Sequence, residues 1–241
     1  MKTYLKSEEI EKLELAASNP RDELLIRLLS RLGCRISEAL TISIEDIDFQ
    51  ECVVIIQHLK KRLRLDCPDC SARLSANHRF CPRCELKVEK AVSQSKEHRR
   101  IRTLPLDEDT LEMLRDYIDQ GRTVIRNGKQ LVFGIGRSHS WRIVRDCAQK
   151  AGIKEIVNPE TGKTRGISPH RLREAFAIHA VKMNDSGDGL RLLQEHLGHA
   201  SFSTTARYRK VAAEEHRKWY ERLWSKSFEI THKEVENEVK Q

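Results

Sequence analysis

The sequence predicts an α+β fold, mostly helical, with a small antiparallel sheet and an inserted zinc ribbon. Three observations carry that prediction. Apolar residues recur at helical spacing through most of the chain. Two runs, 52–58 (C-V-V-I-I-Q-H) and 100–105 (R-I-R-T-L-P), are β-branched or alternating and read as the two strands of a hairpin. The stretch between them is far longer than a hairpin turn needs and carries two C-x-x-C pairs, so it reads as an insertion with its own structure.

Taken in order, Ser7 is placed as an N-cap ahead of Glu8 and Glu9, with Ile10, Leu13 and Ala17 on one helical face. Asn19-Pro20 reads as cap plus first-turn proline. It opens a second helix whose Leu24, Leu25, Leu28, Leu29 and Leu32 form a core stripe that stops at Gly33. Arg35 begins a third, short helix over about 35–42. After the strands, a helix starts at Asp107, shows Leu111, Leu114 and Ile118 on one face, and closes at Gly121. Trp141, Val144 and Ala148 mark another helix, ended by Gly152, and the turn-rich stretch 153–167 reads as a loop or small hairpin. Leu172, Phe176 and Ala180 follow Pro169 at helical spacing, which puts His170 and Arg173 on the same side of a first turn. Leu190, Leu193 and Leu197 line a further helix stopped by Gly198. Trp219, Leu223 and Trp224, set among charges, predict a helical tail over 211–241. Cys34, Cys52 and Cys147 read as small core residues, and His179 as packing on the inner side of its helix.

Composition narrows the function classes. A net charge of +8 favours a polyanionic partner, because each lysine or arginine that neutralises a phosphate releases condensed counterions. A basic soluble protein without a nucleic acid partner is the bland alternative. The chain has no apolar run of 18 residues and no signal peptide, so the expected location is the cytoplasm. In that reducing compartment its 7 cysteines stay out of disulfides.

The insertion, taken as 63–92, carries Cys67, Cys70, Cys81 and Cys84 as C-P-D-C and C-P-R-C. Paired knuckles of this kind place thiolates tetrahedrally around Zn²⁺, and the metal substitutes for a core too small to stand alone. Two disulfides, or iron in the same site, are the alternatives. A closed thiolate shell leaves no open position for a substrate, so the site is read as structural and His78 as a surface residue. Flanked by Lys60, Lys61, Arg62, Arg64, Lys87 and Lys90, the insertion is expected to extend a DNA contact or to touch a neighbouring protomer.

Three motifs in order carry chemistry: G-C-R-I-S-E-A-L at 33–40, S-P-H-R-L-R-E-A-F-A-I-H at 168–179 and H-L-G-H-A-S-F-S-T-T-A-R-Y at 196–208. Between residues 4 and 210 the chain thereby resembles the catalytic domain of the tyrosine recombinases, the phage-integrase and Xer-like family. The resemblance implies a domain over 1–210, interrupted by the insertion. It also implies a site-specific recombinase or integrase that works on double-stranded DNA through a covalent 3′-phosphotyrosyl intermediate, without ATP or a catalytic metal. Arg35 and Arg173 would bind the scissile phosphate, which suits a guanidinium that forks onto phosphate and stays charged; a salt bridge from Arg35 to Glu38, or a helix-surface Arg173, is the alternative. Tyr208 would be the nucleophile, His170 the acid/base partner and His199 a hydrogen-bond donor to the phosphate. Without its context Tyr208 would read as a half-buried core tyrosine, and each histidine as satisfying a backbone group. Glu174 has no evident chemical role.

A lysine on the family's hairpin protonates the leaving 5′-oxygen. Lys96 is assigned that role, with Lys60 and Lys61 as alternatives. Family members carry an N-terminal helical clamp, whereas this chain starts almost at the catalytic domain. The expectation is therefore weak DNA affinity, with the clamp missing or replaced by the zinc insertion or an accessory protein. Family members work as tetramers on DNA and dock a C-terminal segment on a neighbour. Two other readings stand beside this one, a type IB topoisomerase and a non-catalytic zinc-containing DNA-binding protein.

Overall fold

The computed structural model describes residues 2–75, 77–88, 92–158 and 161–211, and along 58–64, 92–100 and 210–211 it describes the backbone alone. The elements run α1 (Ser7–Leu15), α2 (Pro20–Arg31), α3 (Ile36–Ala39), β1 (Ile47–Asp48), β2 (Val53–Asp66), β3 (Arg73–Leu74), β4 (Val92–Pro105), α4 (Glu108–Asp119), β5 (Val124–Arg126) and β6 (Lys129–Leu131). They continue with α5 (Arg137–Lys150), β7 (Ile156–Val157), β8 (Thr164–Arg165), α6 (Pro169–Met183), α7 (Gly187–Leu197), α8 (Phe202–Ala206) and a 3₁₀ turn, Arg207–Val211. Two compact units emerge: the chain up to Ile36 together with Ile135 onward, and Ser37–Gly134. Among the described residues no helix is long and apolar enough to cross a membrane.

The first unit is helical. Asn19 caps α2 by accepting a hydrogen bond from the Asp22 amide at 3.0 Å, and Pro20 fills the first turn, where its missing N–H costs nothing. Leu24, Leu25, Leu28, Leu29 and Leu32 are all buried, as their spacing predicts. Helices α6 and α7 close over a second cluster of Ala177, Val181, Leu190, Leu193 and Leu197, onto which Phe176 and Tyr208 pack. Residues 153–167 form the small hairpin β7–β8.

The second unit holds the sheet. Strand β2 pairs with β1, β3 and β4, all antiparallel. The β2–β4 ladder runs unbroken from Val53↔Pro105 to Asp66↔Val92, much further than the apolar runs suggested. Past Gln57 most residues are charged, and Leu59, Leu63 and Leu65 are too sparse an alternation to mark the strand's full length; backbone pairing carries it instead. The tip that carries the C-x-x-C pairs lies beyond the ladder, from Cys67. Hairpin β5–β6 went unpredicted, although its Asn127-Gly128 turn, both residues at positive φ, is the signature of a two-residue hairpin loop. Asp107 caps α4 through the Thr110 amide at 3.1 Å.

Several local readings are corrected. The residue capping α1 is Lys6, whose amide is held by Glu9, and Ser7 lies inside the helix. Trp141 is 42% exposed under the Arg145 guanidinium, because Ser140, Ile143, Val144 and Cys147 form the buried face of α5. His179 is exposed rather than packed inward. Cys52 is half-buried in the turn before β2 at φ +53°, while Cys34 and Cys147 are buried as expected. The 211–241 tail, with Trp219, Leu223 and Trp224, lies beyond residue 211 and so outside the described residues.

Candidate active site

Arg173 organises the site. One turn into α6, it is 3% exposed, and a buried guanidinium is tolerable only if its N–H groups find acceptors. Nη1 donates to the Gly33 carbonyl at 2.7 Å and Nη2 to the Leu197 carbonyl at 2.6 Å. Leu197 is the last residue of α7, where helix carbonyls lack intrahelical partners, and Gly33 lies two residues past the end of α2; near both ends the helix dipole is negative. Two helix ends therefore hold one cation.

Glycines make both ends usable. Gly198 ends α7 at φ +63°, a left-handed conformation that costs other residues steric strain, and the His199 amide closes the cap on the Gln194 carbonyl at 3.1 Å. That turn delivers His199. Gly33 adopts φ +54°, and a Cβ built there would lie 2.4 Å from Phe176 Cδ1. His196 secures the same place: its Nε2 donates to the Leu32 carbonyl at 2.9 Å while its ring stacks on Phe176 at 4.8 Å.

His199 bridges the cation and the phenol. Its Nε2 lies 3.1 Å from Arg173 Nη2, its Nδ1 lies 3.0 Å from Thr205 Oγ1, and its ring stacks against Tyr208 with centroids 6.2 Å apart. Because a guanidinium can only donate, Nε2 must accept, so the imidazole proton sits on Nδ1 and is donated to Thr205. Thr205 is fully buried, at 0% exposure.

The half-buried Tyr208 phenol titrates above its ordinary value, chiefly through desolvation, with Arg173 and Arg35 pulling it down and Glu174 pushing it up. His170 titrates below its ordinary value, again chiefly through desolvation; Glu174 opposes the shift, while Arg171, Arg173 and Arg35 reinforce it. One set of charges thus acts on both groups. Glu174, without a role in the sequence reading, pairs with the buried Arg171. Arg35 is half-buried and immediately precedes α3. Within the second unit, Glu38 takes Arg102 Nη2 at 2.7 Å in a buried ion pair.

The first unit therefore contains Arg35, His170, Arg173, His199 and Tyr208. Lys96 lies on β4 opposite Arg62, and Lys60 and Lys61 lie on β2; the side chains of all three fall outside the described set. Sequence reasoning left His196 without a role and missed Thr205. Both stood inside the third motif, and only their buried partners mark them. At the tip of the β2–β4 ladder, the sulfurs of Cys67, Cys70, Cys81 and Cys84 lie within 4.8 Å of one another, a donor set able to hold a soft metal ion.

A model of the phage integrase family matches residues 3–215. Tyrosine recombinase XerA of Pyrococcus furiosus is 26% identical over 216 residues, covering 87% of this chain and 57% of that protein. Tyrosine recombinase XerD of Mycobacterium leprae is 26% identical over 206 residues, covering 80% of this chain and 49% of its own. The chain thus spans about half the length of the curated relatives it matches. Among solved structures, the XerA recombinase superposes with a TM-score of 0.61 at 23% identity over 92% of this chain and 65% of its own. The XerH recombinase bound to a palindromic difH substrate superposes at 0.58 and 20% identity, covering 90% of this chain and 52% of its own. These likenesses establish a shared fold.

Proposed function

The chain belongs to the phage integrase family, and from that premise we propose that it is a site-specific DNA recombinase which cuts and rejoins strands through Tyr208. One observation carries the reading: Tyr208 stacks on His199, His199 bonds Arg173, and the charges of Arg173 and Arg35 act on both Tyr208 and His170.

In the proposed reaction, Tyr208 Oη attacks the phosphorus of a phosphodiester. The P–O5′ bond breaks, a 3′-phosphotyrosyl ester forms, and the 5′-oxygen leaves as a hydroxyl. His170 takes the phenol proton. Its lowered pKa keeps the imidazole neutral and able to accept, and the raised pKa of Tyr208 keeps the nucleophile uncharged until a phosphate is seated. Arg35, Arg173 and His199 receive the charge that builds on the non-bridging oxygens. Lys96 donates the proton to the leaving oxygen; Lys60 or Lys61 is the other candidate. Because the ester conserves the bond energy, a second 5′-hydroxyl reverses the step and reseals the strand without ATP.

The partner is double-stranded DNA, in keeping with the net charge of +8 and with the XerH relative crystallised on its substrate. Each copy offers a single Tyr208 and cuts one strand, so exchange between two duplexes calls for a tetramer.

The test is incubation with a pool of nicked duplexes of randomised sequence. The expected result is a protease-sensitive protein–DNA adduct, absent in Tyr208→Phe. If neither protein forms an adduct, or the variant forms it equally, the proposal fails.

A further inference from the structure

We infer that Cys67, Cys70, Cys81 and Cys84 bind one Zn²⁺ as a closed tetrathiolate, and that this ion, rather than an apolar core, folds the tip 67–88 at the end of the β2–β4 ladder. The geometry is the first support. A tetrahedral Zn–S shell requires sulfurs about 3.8 Å apart, given a Zn–S distance of about 2.3 Å. Cys67 and Cys84 stand 3.6 Å apart, Cys70 and Cys81 3.5 Å, and all four sulfurs fall within 4.8 Å of one another. Disulfide bonding would bring a pair to about 2.05 Å.

The backbone is the second support, and it repeats. Cys67 N–H donates to the Ala72 carbonyl at 2.9 Å, and Ser71 N–H returns to the Cys67 carbonyl at 3.0 Å. Cys81 N–H donates to Leu86 at 2.9 Å, and Glu85 N–H returns to Cys81 at 3.0 Å. Each knuckle thus folds around its first cysteine in the same way. Ser71 and Glu85 occupy the same left-handed conformation, φ +55° and +57°, which is strained for residues other than glycine and persists only where the surroundings enforce it. An Arg83 amide points at Cys81 Sγ at 3.4 Å, as expected for a hydrogen bond to a ligating thiolate.

The third support is what the tip lacks. Its cluster consists of Cys67, Leu74 and Cys81, with Leu65, Cys70, Ala72, Cys84 and Val88 partly covered. Half of that list is cysteine, Phe80 and Leu86 face solvent, and so small an apolar set cannot by itself hold two strained knuckles. His78 is exposed and its Nδ1 accepts from the Ser75 amide, so the ligand set closes on sulfur.

The test needs no DNA. Protein purified under reducing conditions is expected to hold one zinc per chain by elemental analysis. Cobalt exchange should give the thiolate charge-transfer bands of a tetrahedral tetrathiolate. Hydrogen exchange should show 67–88 protected with metal and unprotected after chelation, while the Ala177–Leu197 cluster is unchanged. The double variant Cys67→Ser, Cys70→Ser should lose both the metal and the protection. Iron in place of zinc, a pair of disulfides, or a metal-free tip that stays protected overturns the inference.

From a separate observation, and resting on the recombinase reading above, we further infer that Thr205 is a positioning residue that lets His199 change the place of its proton. Before DNA arrives, Nε2 accepts from Arg173 and Nδ1–H donates to Thr205. To donate to a phosphate, Nε2 must carry a proton, and Nδ1 then becomes an acceptor. A hydroxyl serves both states, because it can accept or, after rotation, donate. Buried at 0% exposure, Thr205 has no water to stand in for it.

In DNA-free protein, ¹⁵N spectra of His199 are expected to show the Nδ1–H tautomer that Arg173 imposes, in wild type and in Thr205→Val alike. Adduct formation should fall about 10- to 100-fold in Thr205→Val, the range for lost orienting partners, and return in Thr205→Ser. A wild-type Nε2–H tautomer, or a serine variant as slow as valine, overturns this inference. Loss of the wild-type adduct itself would instead overturn the recombinase reading, which the spectra do not touch.

Discussion

The Arg173 site and the cysteine tip are both built from polar or soft groups held beside left-handed turns, glycine at the first and Ser71 and Glu85 at the second, yet different forces hold them. At the site, a buried guanidinium draws in the ends of α2 and α7, and the aliphatic cluster of Ala177, Val181, Leu190, Leu193 and Leu197 lies directly beneath. Among the described residues of the tip, Leu74 is the one buried aliphatic residue, and four sulfurs stand beside it. The lesson is that burial can fix a polar group only where enough apolar area surrounds it; at the tip the proposed ion would supply what that area does not.

The sharpest way to break this contrast is Arg173→Ala. It removes a transition-state donor, worth about 10³-fold in cleavage rate, and it also leaves the Gly33 and Leu197 carbonyls unsatisfied, costing about 1–3 kcal/mol each. Single-turnover cleavage and urea unfolding read the two effects separately. A variant that is merely slow, with wild-type stability, would show that the cation does not hold the helix ends.

His170→Ala should slow cleavage about 10²-fold, the usual contribution of a general base, without touching the Arg173 clamp. Since only the neutral imidazole accepts a proton, wild-type rate should rise with pH through the His170 pKa. That pKa is lowered, so the limb should lie below the ordinary histidine range and vanish in the variant. A limb that persists in the variant would assign the titration to another group.

Gly33→Ala tests whether the α2 end is as tightly determined as the geometry says. A methyl group 2.4 Å from Phe176 at positive φ should cost about 2–4 kcal/mol in urea unfolding, from strain and overpacking together. Tolerance of alanine would mean that Phe176 moves freely and that the clamp is loose. His196→Ala, which removes one hydrogen bond and one stacked ring, should cost about 1–2 kcal/mol and should destabilise the site unit while leaving metal binding at the tip unchanged. At the bottom of the scale, Arg191→Ala breaks an exposed ion pair with Glu195 on α7 and should change stability by less than about 0.5 kcal/mol. A larger loss would show that surface charge, rather than the buried cluster, holds α7.

Much of this was legible without coordinates because it follows from local chemistry. Asn19-Pro20 begins a helix, Gly33 and Gly198 end helices, and the leucine spacing of α2 and α7 marks their buried faces. The order of the three motifs singled out Arg35, His170, Arg173, His199 and Tyr208 as candidates, and the C-x-x-C spacing singled out the four cysteines whose sulfurs lie within 4.8 Å of one another. Errors arose where the signal was ambiguous or absent. Trp141 fell on the helical period but points outward, since α5 buries smaller residues, and along the charged reach of β2 only Leu59, Leu63 and Leu65 keep a strand's alternation among the cations.

Caps, periodicity and residue chemistry, which act over a few neighbouring positions, mark the helices, their ends and the candidate reacting groups in the sequence alone. It is long-range packing that anchors Arg173 at the end of α7 and the turn after α2, makes Arg173 hold His199 as the Nδ1–H tautomer with Thr205 as its acceptor, and lets His196 tie α7 to the end of α2. Those are contacts between residues as many as 164 positions apart. Their partners are backbone carbonyls and a hydroxyl, groups that residue identity at a distance cannot single out, and they acquire meaning only when burial removes the water that would otherwise satisfy them.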